Sequence, residues 1–432
     1  MVDRVKIAKV YLWGEFVGAV QWNTDREAAS FEYDPGFAKR GLDISPLQMP
    51  LSRAKEIFSF NNLNRDTYWG LPGLLADSLP DHFGNQLIDT WLLRQGRVPR
   101  DFTPVERLCY TGKRGMGALE YVPAAAWRNS KSVPVDIAEL VGLVEIALGK
   151  QSKMHGDFKA KKTDALKNIL RVGTSAGGMR AKAVIALNPA TGEIRSGQLH
   201  APPGFEHWII KLDGVKGQGL GDPIGYGRIE YAYYKMAQSV GINMSRCELL
   251  EEGGRAHFMT RRFDRTDDGV KLHMQSLCAL AHYDYRASGA YGYEQAFEVM
   301  RKLHLIYSEM EQLYRSMIFN VLARNHDNHT KNISFLMDQH GNWSLAPAFD
   351  VTYSYNPDGQ WANAHQMSLN GKTDNFLIAD LIETGMRVGI NSPHEIIQQV
   401  QDGVVNWVRF AKDAGVSISN IKKISRVHRV LG

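Results

Sequence analysis

The stretch ARNHDNHTKNISF, residues 323–335, gathers side chains suited to proton transfer and metal binding. Asp327 is followed, after four intervening residues, by Asn332. Kinases place a catalytic aspartate and a metal-binding asparagine in one loop at this spacing. A further carboxylate, Asp350, ends the downstream segment NWSLAPAFD. Because hard oxygen ligands suit Mg²⁺, we predict Asp327 as the catalytic residue and Asn332 and Asp350 as metal ligands.

The other parts that phosphoryl transfer needs occur upstream, in the order that a kinase requires. The glycine-bearing turn SAGGMRAKA, with Gly177 and Gly178, is a candidate phosphate loop. The next predicted strand, HWIIKL, carries Lys211 as a candidate contact to ATP phosphates. The predicted helix RIEYAYYKM follows and offers Glu230 as a partner for that lysine. Each of these patterns alone is weak, and their order favours a kinase.

The same residues allow other chemistry. His326 and Asp327 form an HD pair of the kind that metal-dependent phosphohydrolases use, and the chain has fourteen histidines to supply further ligands. A noncatalytic binding module is a third interpretation, in which the asparagines stabilise a loop through side-chain hydrogen bonds. As such a module, the chain would act as a corepressor partner.

The surrounding elements follow from periodicity and turn residues. The first fifty residues alternate in short apolar runs, with Gly14 between two of them, and predict an antiparallel meander. Asp81 is placed to cap a helix that carries Leu87, Ile88 and Leu92 at helical spacing. Residues from 290 onward are mostly helical in pattern, and Ser392 with Glu395 has capping-box spacing.

Length and composition indicate an ordinary globular chain of several domains. The chain has 432 residues, of which 44% are hydrophobic and 22% charged, with a net charge of +5. No apolar run approaches the ~18 residues of a membrane-spanning helix, so we expect no membrane partner. Three scattered cysteines argue against a disulfide framework and indicate a reducing cytoplasm.

Several motifs together resemble the HipA-type toxin kinases of bacterial type II toxin–antitoxin systems. GLPGLLADSLPDHFGNQLID, TSAGGMRAKA, HWIIKL, TRRFDR, NHDNHTKNISF and LAPAFDVTYS occur in the family's order. The resemblance covers most of the chain, and the last two motifs are the most specific.

The resemblance implies an α+β fold of the two-lobed protein-kinase type, with a β-rich N-lobe, a mostly helical C-lobe and an added N-terminal β/α subdomain. We expect the N-terminal subdomain over residues 1–130, the kinase N-lobe over 131–262 and the helical C-lobe over 263–432.

The resemblance also implies site residues. Ser175 is similar in position to the loop serine that family members autophosphorylate, which would add about −1.5 to −2 charges beside the nucleotide. The strand around Arg261, Arg262 and Phe263 is expected to hold the adenine. His329 and Lys331 are further expected contacts to the nucleotide.

The family's biology supplies the remaining expectations. Members phosphorylate a serine or threonine of a protein target, and a glutamyl-type aminoacyl-tRNA synthetase is the first expectation here, with growth arrest and persistence as the result. A small helix-turn-helix antitoxin of the HipB type, bound to operator DNA, is the expected partner. The expected location is the bacterial cytoplasm, or the nucleoid when the chain is in that complex.

Overall fold

The computed structural model describes residues 5–94, 96–123, 134–149, 180–197, 201–217, 220–221 and 224–431. The chain divides into two compact units. Unit 1 comprises residues 1–45, 49–227 and 248–274, and unit 2 comprises residues 46–48, 228–247 and 275–432. The three-part division expected from the sequence, with boundaries at residues 130 and 262, stays a prediction.

Unit 1 begins with a four-stranded antiparallel sheet in the order β3-β2-β1-β4. Its strands are β1 Ile7–Leu12, β2 Glu15–Asn23, β3 Ala28–Tyr33 and β4 Leu119–Val122. Trp13 (φ 49°) and Gly14 (φ 85°) join β1 to β2 as a two-residue turn. Because left-handed φ at both turn positions matches the twist of a hairpin, the predicted meander is confirmed. The fourth strand, which pairs with β1, was not expected.

Unit 1 also contains helices. They are α1 Pro35–Ala38, α2 Arg65–Tyr68, α3 Gly73–Ala76, α4 His82–Arg94, α5 Pro104–Thr111 and α6 Ile137–Gly149. The Asp81 carboxylate accepts a hydrogen bond from the Gly84 backbone N–H at 2.6 Å. The predicted cap of α4 is therefore confirmed, and Leu87, Ile88 and Leu92 of this helix are buried as expected.

A second sheet of unit 1 has the strand order β10-β11-β7-β5-β6, and a two-stranded sheet pairs β8 with β9. The strands are β5 Lys182–Leu187, β6 Ile194–Ser196, β7 Glu206–Lys211, β8 Lys216–Gly217, β9 Leu220–Gly221, β10 Cys247–Glu252 and β11 Arg255–Arg261. Trp208 and Ile210 of β7 are fully buried in a core shared with Val141 of α6 and Leu87 of α4. Burial of this apolar face fixes the register of the central strand, because a one-residue slip would turn the face outward.

A buried charge cluster ties this region to the turn that precedes β4. Asp264 is fully buried and accepts hydrogen bonds from Arg262, from Arg265 and from the backbone N–H of Gly117. The Arg262 guanidinium also donates to the Gly115 carbonyl at 3.2 Å. Buried charges are costly unless they are paired and hydrogen-bonded, so the three side chains stabilise unit 1 only as a set.

Unit 2 is mostly helical. Its helices are α7 Tyr226–Ser239, α8 Leu277–Ala281, α9 Tyr293–Lys302, α10 Tyr307–Leu322, α11 Ile378–Val388, α12 Pro393–Val405, α13 Trp407–Asp413 and α14 Ile418–Ser425, where α7 starts at the end of a unit 1 segment. A three-stranded sheet of the order β12-β13-β14 consists of β12 His273–Ser276, β13 Ser334–Met337 and β14 Trp343–Leu345.

Helix α7 supports the end of α10. Ile229, Tyr233 and Met236 form a buried stripe of α7 at helical spacing. The Tyr233 hydroxyl donates to the Ala323 carbonyl at 2.6 Å, immediately after the last residue of α10. This contact fixes the point at which the polar stretch 323–335 leaves the helix.

Candidate active site

The stretch with Asp327 and Asn332 is a loop between α10 and β13. Arg324 has a left-handed φ of 57°, which turns the chain out of the helix. The loop ends in a short 3₁₀ turn, Thr330–Asn332. Phe335 of β13 is fully buried, and the Leu277 backbone N–H donates to the Ile333 carbonyl at 2.8 Å. The loop is thus anchored at its C-terminal end by Ile333 and Phe335.

Asp327 and Asn332 are held against each other. The Asn332 Nδ2 atom donates to the Asp327 carbonyl at 2.8 Å. The Asp327 side chain is 46% exposed, so its carboxylate remains reachable by a substrate. The carbonyl oxygen of the Asn332 amide has no hydrogen-bond partner in the described part of the chain. The DxxxxN spacing therefore produces one turn that presents a carboxylate and an amide oxygen together.

Asp350 follows a segment that is fastened to unit 2. The Ala348 backbone N–H donates to the Asn243 carbonyl at 2.8 Å, and Met244 forms a parallel bridge with Ala348. Asp350 itself has a left-handed φ of 53°. Non-glycine residues in this conformation gather at functional sites. The structure thus places the second predicted carboxylate at a fixed, unusual backbone position.

His329 shows that both carboxylates act on one place. Burial lowers the pKa of His329, while the negative charges of Asp327 and Asp350 act in the opposite direction. The Nε2 atom of His329 lies 3.8 Å from Oδ1 of Asp327. Its ring packs on Tyr285 with centroids 5.1 Å apart. The charges of both carboxylates therefore act on the same imidazole.

A chain of hydrogen bonds supports the loop from behind. Ser354 Oγ accepts from the Asp327 backbone N–H and donates to the Asn325 side-chain oxygen, both at 2.9 Å. The Asn325 amide donates to Asn320 Oδ1 at 2.9 Å, and the Asn320 amide donates to the Tyr293 hydroxyl at 3.0 Å. Connected polar groups of this kind rigidify a site when all members are satisfied.

A cavity of about 140 Å³ lies beside this network. Its lining includes polar side chains of the loop and of α10, among them Asn320, Asn325, Asn328, Asn332 and Ser334. It lies within unit 2, next to the predicted metal ligand Asn332.

His326 packs against other aromatic rings of unit 2. It is fully buried, and its ring contacts that of His365 with centroids 4.0 Å apart. Burial, reinforced by the positive charges of Arg324 and Arg429, lowers the pKa of His326 to about 3. Within the described residues, no group of three or more His, Cys, Asp or Glu side chains is arranged to hold a metal. This geometry does not favour the HD-type phosphohydrolase.

The predicted lysine lies in unit 1. Lys211 is the last residue of β7, and its direct cross-strand partners are Lys182 of β5 and Phe258 of β11. Both lysines are buried, with 9% and 6% of their surface exposed, and the Lys211 ammonium lies 5.5 Å from the Phe258 ring centroid.

The expected adenine strand forms the end of β11. The Arg262 backbone N–H donates to the His207 carbonyl at 2.9 Å, while its side chain belongs to the buried cluster with Asp264. Arg261 pairs with Asp267 at 2.6 Å, and Phe263 is half-buried. Binding of adenine by this strand stays a prediction.

The remaining predicted residues are distributed as follows. Glu230 is buried on α7 with 1% of its surface exposed, and the Lys331 ammonium lies 5.4 Å from the Tyr285 ring centroid. Ser175, Gly177 and Gly178 lie outside the described residues. Among the helices that the structure describes, none is both long and apolar enough to cross a membrane.

Comparisons with known proteins identify the family. The HipA N-terminal domain matches residues 8–122, and the HipA-like C-terminal domain matches residues 174–408. The chain belongs to the HipA family. The resemblance predicted from the motifs is thereby confirmed.

Individual relatives agree with this assignment. A putative kinase, Y4mE, from Sinorhizobium fredii (strain NBRC 101917 / NGR234) is 26% identical over 200 residues, which are 44% of this chain and 41% of Y4mE. The match thus spans about two-fifths of that relative. A chain of the solved HipA, HipB and operator DNA complex from Shewanella oneidensis MR-1 superimposes with a TM-score of 0.63 at 16% identity. That superposition covers 98% of this chain and 92% of the other, and at this identity it concerns the fold. The predicted kinase-like α+β fold is confirmed.

Two side chains that contact Asp327 were not predicted as site residues. Ser354 and Trp361 both bind Asp327. DVTYS brings Ser354 into the neighbourhood of Asp350 in sequence, but its contact with the catalytic loop spans 27 positions. The family pattern was the only sequence signal that pointed to this segment.

Proposed function

We propose that this HipA-family chain is a toxin kinase that transfers the γ-phosphoryl group of ATP to a serine or threonine of a protein. The observation that carries the proposal is the closed turn in which Asn332 binds the Asp327 carbonyl while the Asp327 carboxylate stays exposed. Asp350 supports it, because its charge acts on the same histidine as that of Asp327.

The donor set fits a hard divalent cation. The Asn332 side-chain N–H donates to the Asp327 carbonyl, so the side-chain oxygen of Asn332 remains available as a ligand. Asp350 adds a carboxylate. Oxygen donors of this kind are those that Mg²⁺ prefers, with water and phosphate completing the octahedron. We therefore propose Asn332 and Asp350 as the residues that hold Mg²⁺.

The paired lysines fit the phosphates of a nucleotide. Lys182 and Lys211 stand side by side on neighbouring strands of unit 1 and are both buried. Lysine is a common phosphate ligand, because its ammonium group is a compact point charge. We propose Lys211 as the phosphate contact, with Lys182 beside it, Glu230 as the partner on the following helix and the Arg261–Phe263 strand at the adenine.

The chemistry of the chain's own residues is then positioning and proton transfer. Bound ATP and Mg²⁺ supply the transferred group and the charge neutralisation that phosphoryl transfer requires. Asp327 accepts the hydrogen bond of the acceptor hydroxyl and takes its proton as the hydroxyl oxygen bonds to the γ-phosphorus and the bond from that phosphorus to ADP, the leaving group, breaks. His329, kept neutral by its lowered pKa, adds no positive charge that would compete for the Asp327 carboxylate.

The biological setting is also proposed from the family. The Shewanella complex contains HipB and operator DNA, which supports a helix-turn-helix antitoxin and operator DNA as partners of this chain. We propose a glutamyl-type aminoacyl-tRNA synthetase as the protein substrate, with growth arrest and persistence as the outcome. Cytoplasmic or nucleoid location follows from those partners.

Autophosphorylation at Ser175 is the regulatory part of the proposal. A phosphate on a loop that covers the nucleotide would repel the phosphates of ATP, since it carries about −1.5 to −2 charges. The modification is therefore expected to inactivate the kinase.

The proposal is tested by intact mass of the purified chain before and after incubation with ATP and Mg²⁺. The parent should gain the mass of one phosphoryl group, while Asp327→Asn should gain none. Ser175→Ala tests the modified position, and peptide mapping identifies the residue if the gain persists. Asp358→Asn, which changes an exposed carboxylate in the same unit, serves as the matched control.

The outcomes separate the parts of the proposal. Full phosphorylation of Asp327→Asn would contradict its catalytic function. No gain in the parent, with no nucleotide binding by calorimetry, would contradict the kinase itself. A parent that already carries the phosphate shows it in the starting mass, and phosphatase treatment then restores the test.

A further inference from the structure

Trp361 is an exposed tryptophan that contacts the catalytic carboxylate. Its side chain belongs to the segment after Asp350 in unit 2, and 37% of its surface is exposed. The indole Nε1–H donates to Oδ1 of Asp327 at 2.5 Å. Hydrogen bonds to a charged acceptor are shorter and stronger than those between neutral groups. The contact places a hydrogen-bond donor on the carboxylate that the proposed function assigns as the base.

The Trp361 backbone is fastened to the same loop. Gln366 is buried, and its side-chain amide donates to the Trp361 carbonyl. The Gln366 backbone N–H contacts the His326 carbonyl at 3.2 Å and Asn328 Oδ1 at 3.1 Å. These two residues flank Asp327 in the chain. Gln366 therefore links the Trp361 backbone to both sequence neighbours of Asp327.

The two oxygens of the Asp327 carboxylate have different surroundings. Oδ1 receives the Trp361 indole N–H and lies 3.8 Å from Nε2 of His329. Oδ2 has no hydrogen-bond donor among the described residues, and the side chain is 46% exposed. Because the indole N–H can only donate, it cannot accept the proton that the carboxylate receives. One oxygen is thus fixed, and the other faces outward.

We propose that Trp361 is a positioning residue for phosphoryl transfer: its indole N–H holds Oδ1 of Asp327 so that Oδ2 meets the acceptor hydroxyl. This inference rests on the proposed function of Asp327 as the base. A carboxylate that rotates freely offers its lone pairs in many directions, while productive transfer requires one defined approach. The alternative, that the indole blocks the base, is opposed by the exposure of the carboxylate and by the open second oxygen.

The test uses Trp361→Phe in the full chain, which keeps an aromatic ring and removes the donor. The turnover number kcat for phosphoryl transfer should fall about tenfold or more, the size expected for losing a hydrogen bond to a charged group. The KM for ATP and the melting temperature should stay close to those of the parent. Trp361→His, which retains a ring N–H, should recover part of the loss. Trp22→Phe, a half-buried tryptophan of unit 1, is the matched control.

A second readout does not depend on activity. The chain has nine tryptophans, so its ¹H–¹⁵N spectrum contains nine indole signals, and the one lost in Trp361→Phe belongs to Trp361. That signal should shift in Asp327→Asn without any nucleotide present. An unshifted signal means that the contact is absent in solution and overturns the inference.

The kinetic outcomes distinguish this inference from the proposed function. Unchanged kcat in Trp361→Phe, with transfer abolished by Asp327→Asn, overturns the positioning by Trp361 and leaves the kinase intact. Raised kcat in Trp361→Phe overturns it in favour of a blocking contact. Transfer that survives Asp327→Asn refutes the proposed base, whatever the tryptophan variant does. The double variant Trp361→Phe with Asp327→Asn should have no lower kcat than Asp327→Asn alone, because Trp361 acts through Asp327. A further loss of kcat in the double variant would indicate a merely structural effect of Trp361 and also overturn the inference.

Discussion

The buried cluster around Asp264 gives the sharpest stability prediction. Asp264→Asn keeps the size of the side chain and removes its charge. In the parent, Arg262 binds both carboxylate oxygens at 2.9 and 2.7 Å, and Arg265 adds a contact at 2.7 Å. The asparagine would point an N–H donor at guanidinium donors and leave two buried cations without an anion. Removing one member of such a set typically costs about 3–5 kcal/mol.

The assay is urea unfolding at pH 7, followed by circular dichroism. The matched control is Asp267→Asn, which removes the same charge from an ion pair with Arg261. The Asp267 side chain is 87% exposed, and exposed pairs typically contribute below about 1 kcal/mol. Asp264→Asn should therefore lose several times more free energy of unfolding than Asp267→Asn. Equal losses in the two variants would refute the reasoning that burial makes the difference.

The pH dependence of the same cluster has a defined sign. Burial alone raises the pKa of Asp264, but Arg262 and Arg265 outweigh it and hold the pKa below its ordinary range. The stabilisation by this carboxylate is present above its unfolded pKa, about 3.9, and is lost as the pH falls below that value. The difference in stability between the parent and Asp264→Asn should therefore shrink between about pH 5 and pH 2. A constant difference over that range would mean that charge is not the cause.

Three further perturbations probe the site. Ser354→Ala should cost about 1–3 kcal/mol of stability and lower kcat, because it leaves the Asp327 backbone N–H and the Asn325 side-chain oxygen unpaired. Ser354→Thr should restore stability and kcat. A Thr variant that is no better than the Ala variant in thermal unfolding and kinetics would contradict the hydrogen-bond argument. Burial, with Arg324 and Arg429, lowers the pKa of His326 to about 3, so stability should fall as the pH drops from about 6.5, by up to ~1.4 kcal/mol per pH unit. His326→Asn should flatten that slope in urea titrations while the exposed His394→Asn does not, and identical slopes would argue against a neutral buried imidazole. Lys211→Met should weaken nucleotide binding about tenfold or more in calorimetry, whereas an unchanged affinity would remove the lysine from the phosphate site.

Much of the fold could be predicted because the spacing of apolar residues in the sequence indicates which side chains of a helix or strand are buried. HWIIKL became a central strand whose Trp208 and Ile210 enter the core, and the stripe of α7 lies at helical spacing. The side-chain caps of helices were predicted correctly in one case and incorrectly in another. Asp81 caps α4 as expected, but Ser392 makes no side-chain capping bond, although its helix starts at Pro393. Residue type and spacing therefore locate a helix start better than they determine the contact made there.

The site was predictable only where its parts are close in the chain. Asp327 and Asn332 share one turn, so their spacing alone indicates their proximity. The contact between Trp361 and Asp327 spans 34 positions and depends on how a long segment folds back. Lys182 opposite Lys211 depends on strand register, which no single motif determines. Contacts of this kind follow from tertiary packing rather than from local pattern.

The charged groups around the loop bear on the choice between a kinase and an HD-type hydrolase, because a metal ion binds where negative charge gathers. The cations of Arg324 and Arg429 lower the pKa of His326, and the same positive potential would repel a divalent metal. Asp327 and Asp350 act together on His329, and their potential would attract one. His326 and Asp327 are adjacent in sequence, yet cations act on His326 while the Asp327 carboxylate is exposed, which disfavours a metal shared by the two as in an HD pair. For the proposed kinase, we therefore expect the cation beside the exposed carboxylate, with the Asn332 amide oxygen as a further ligand.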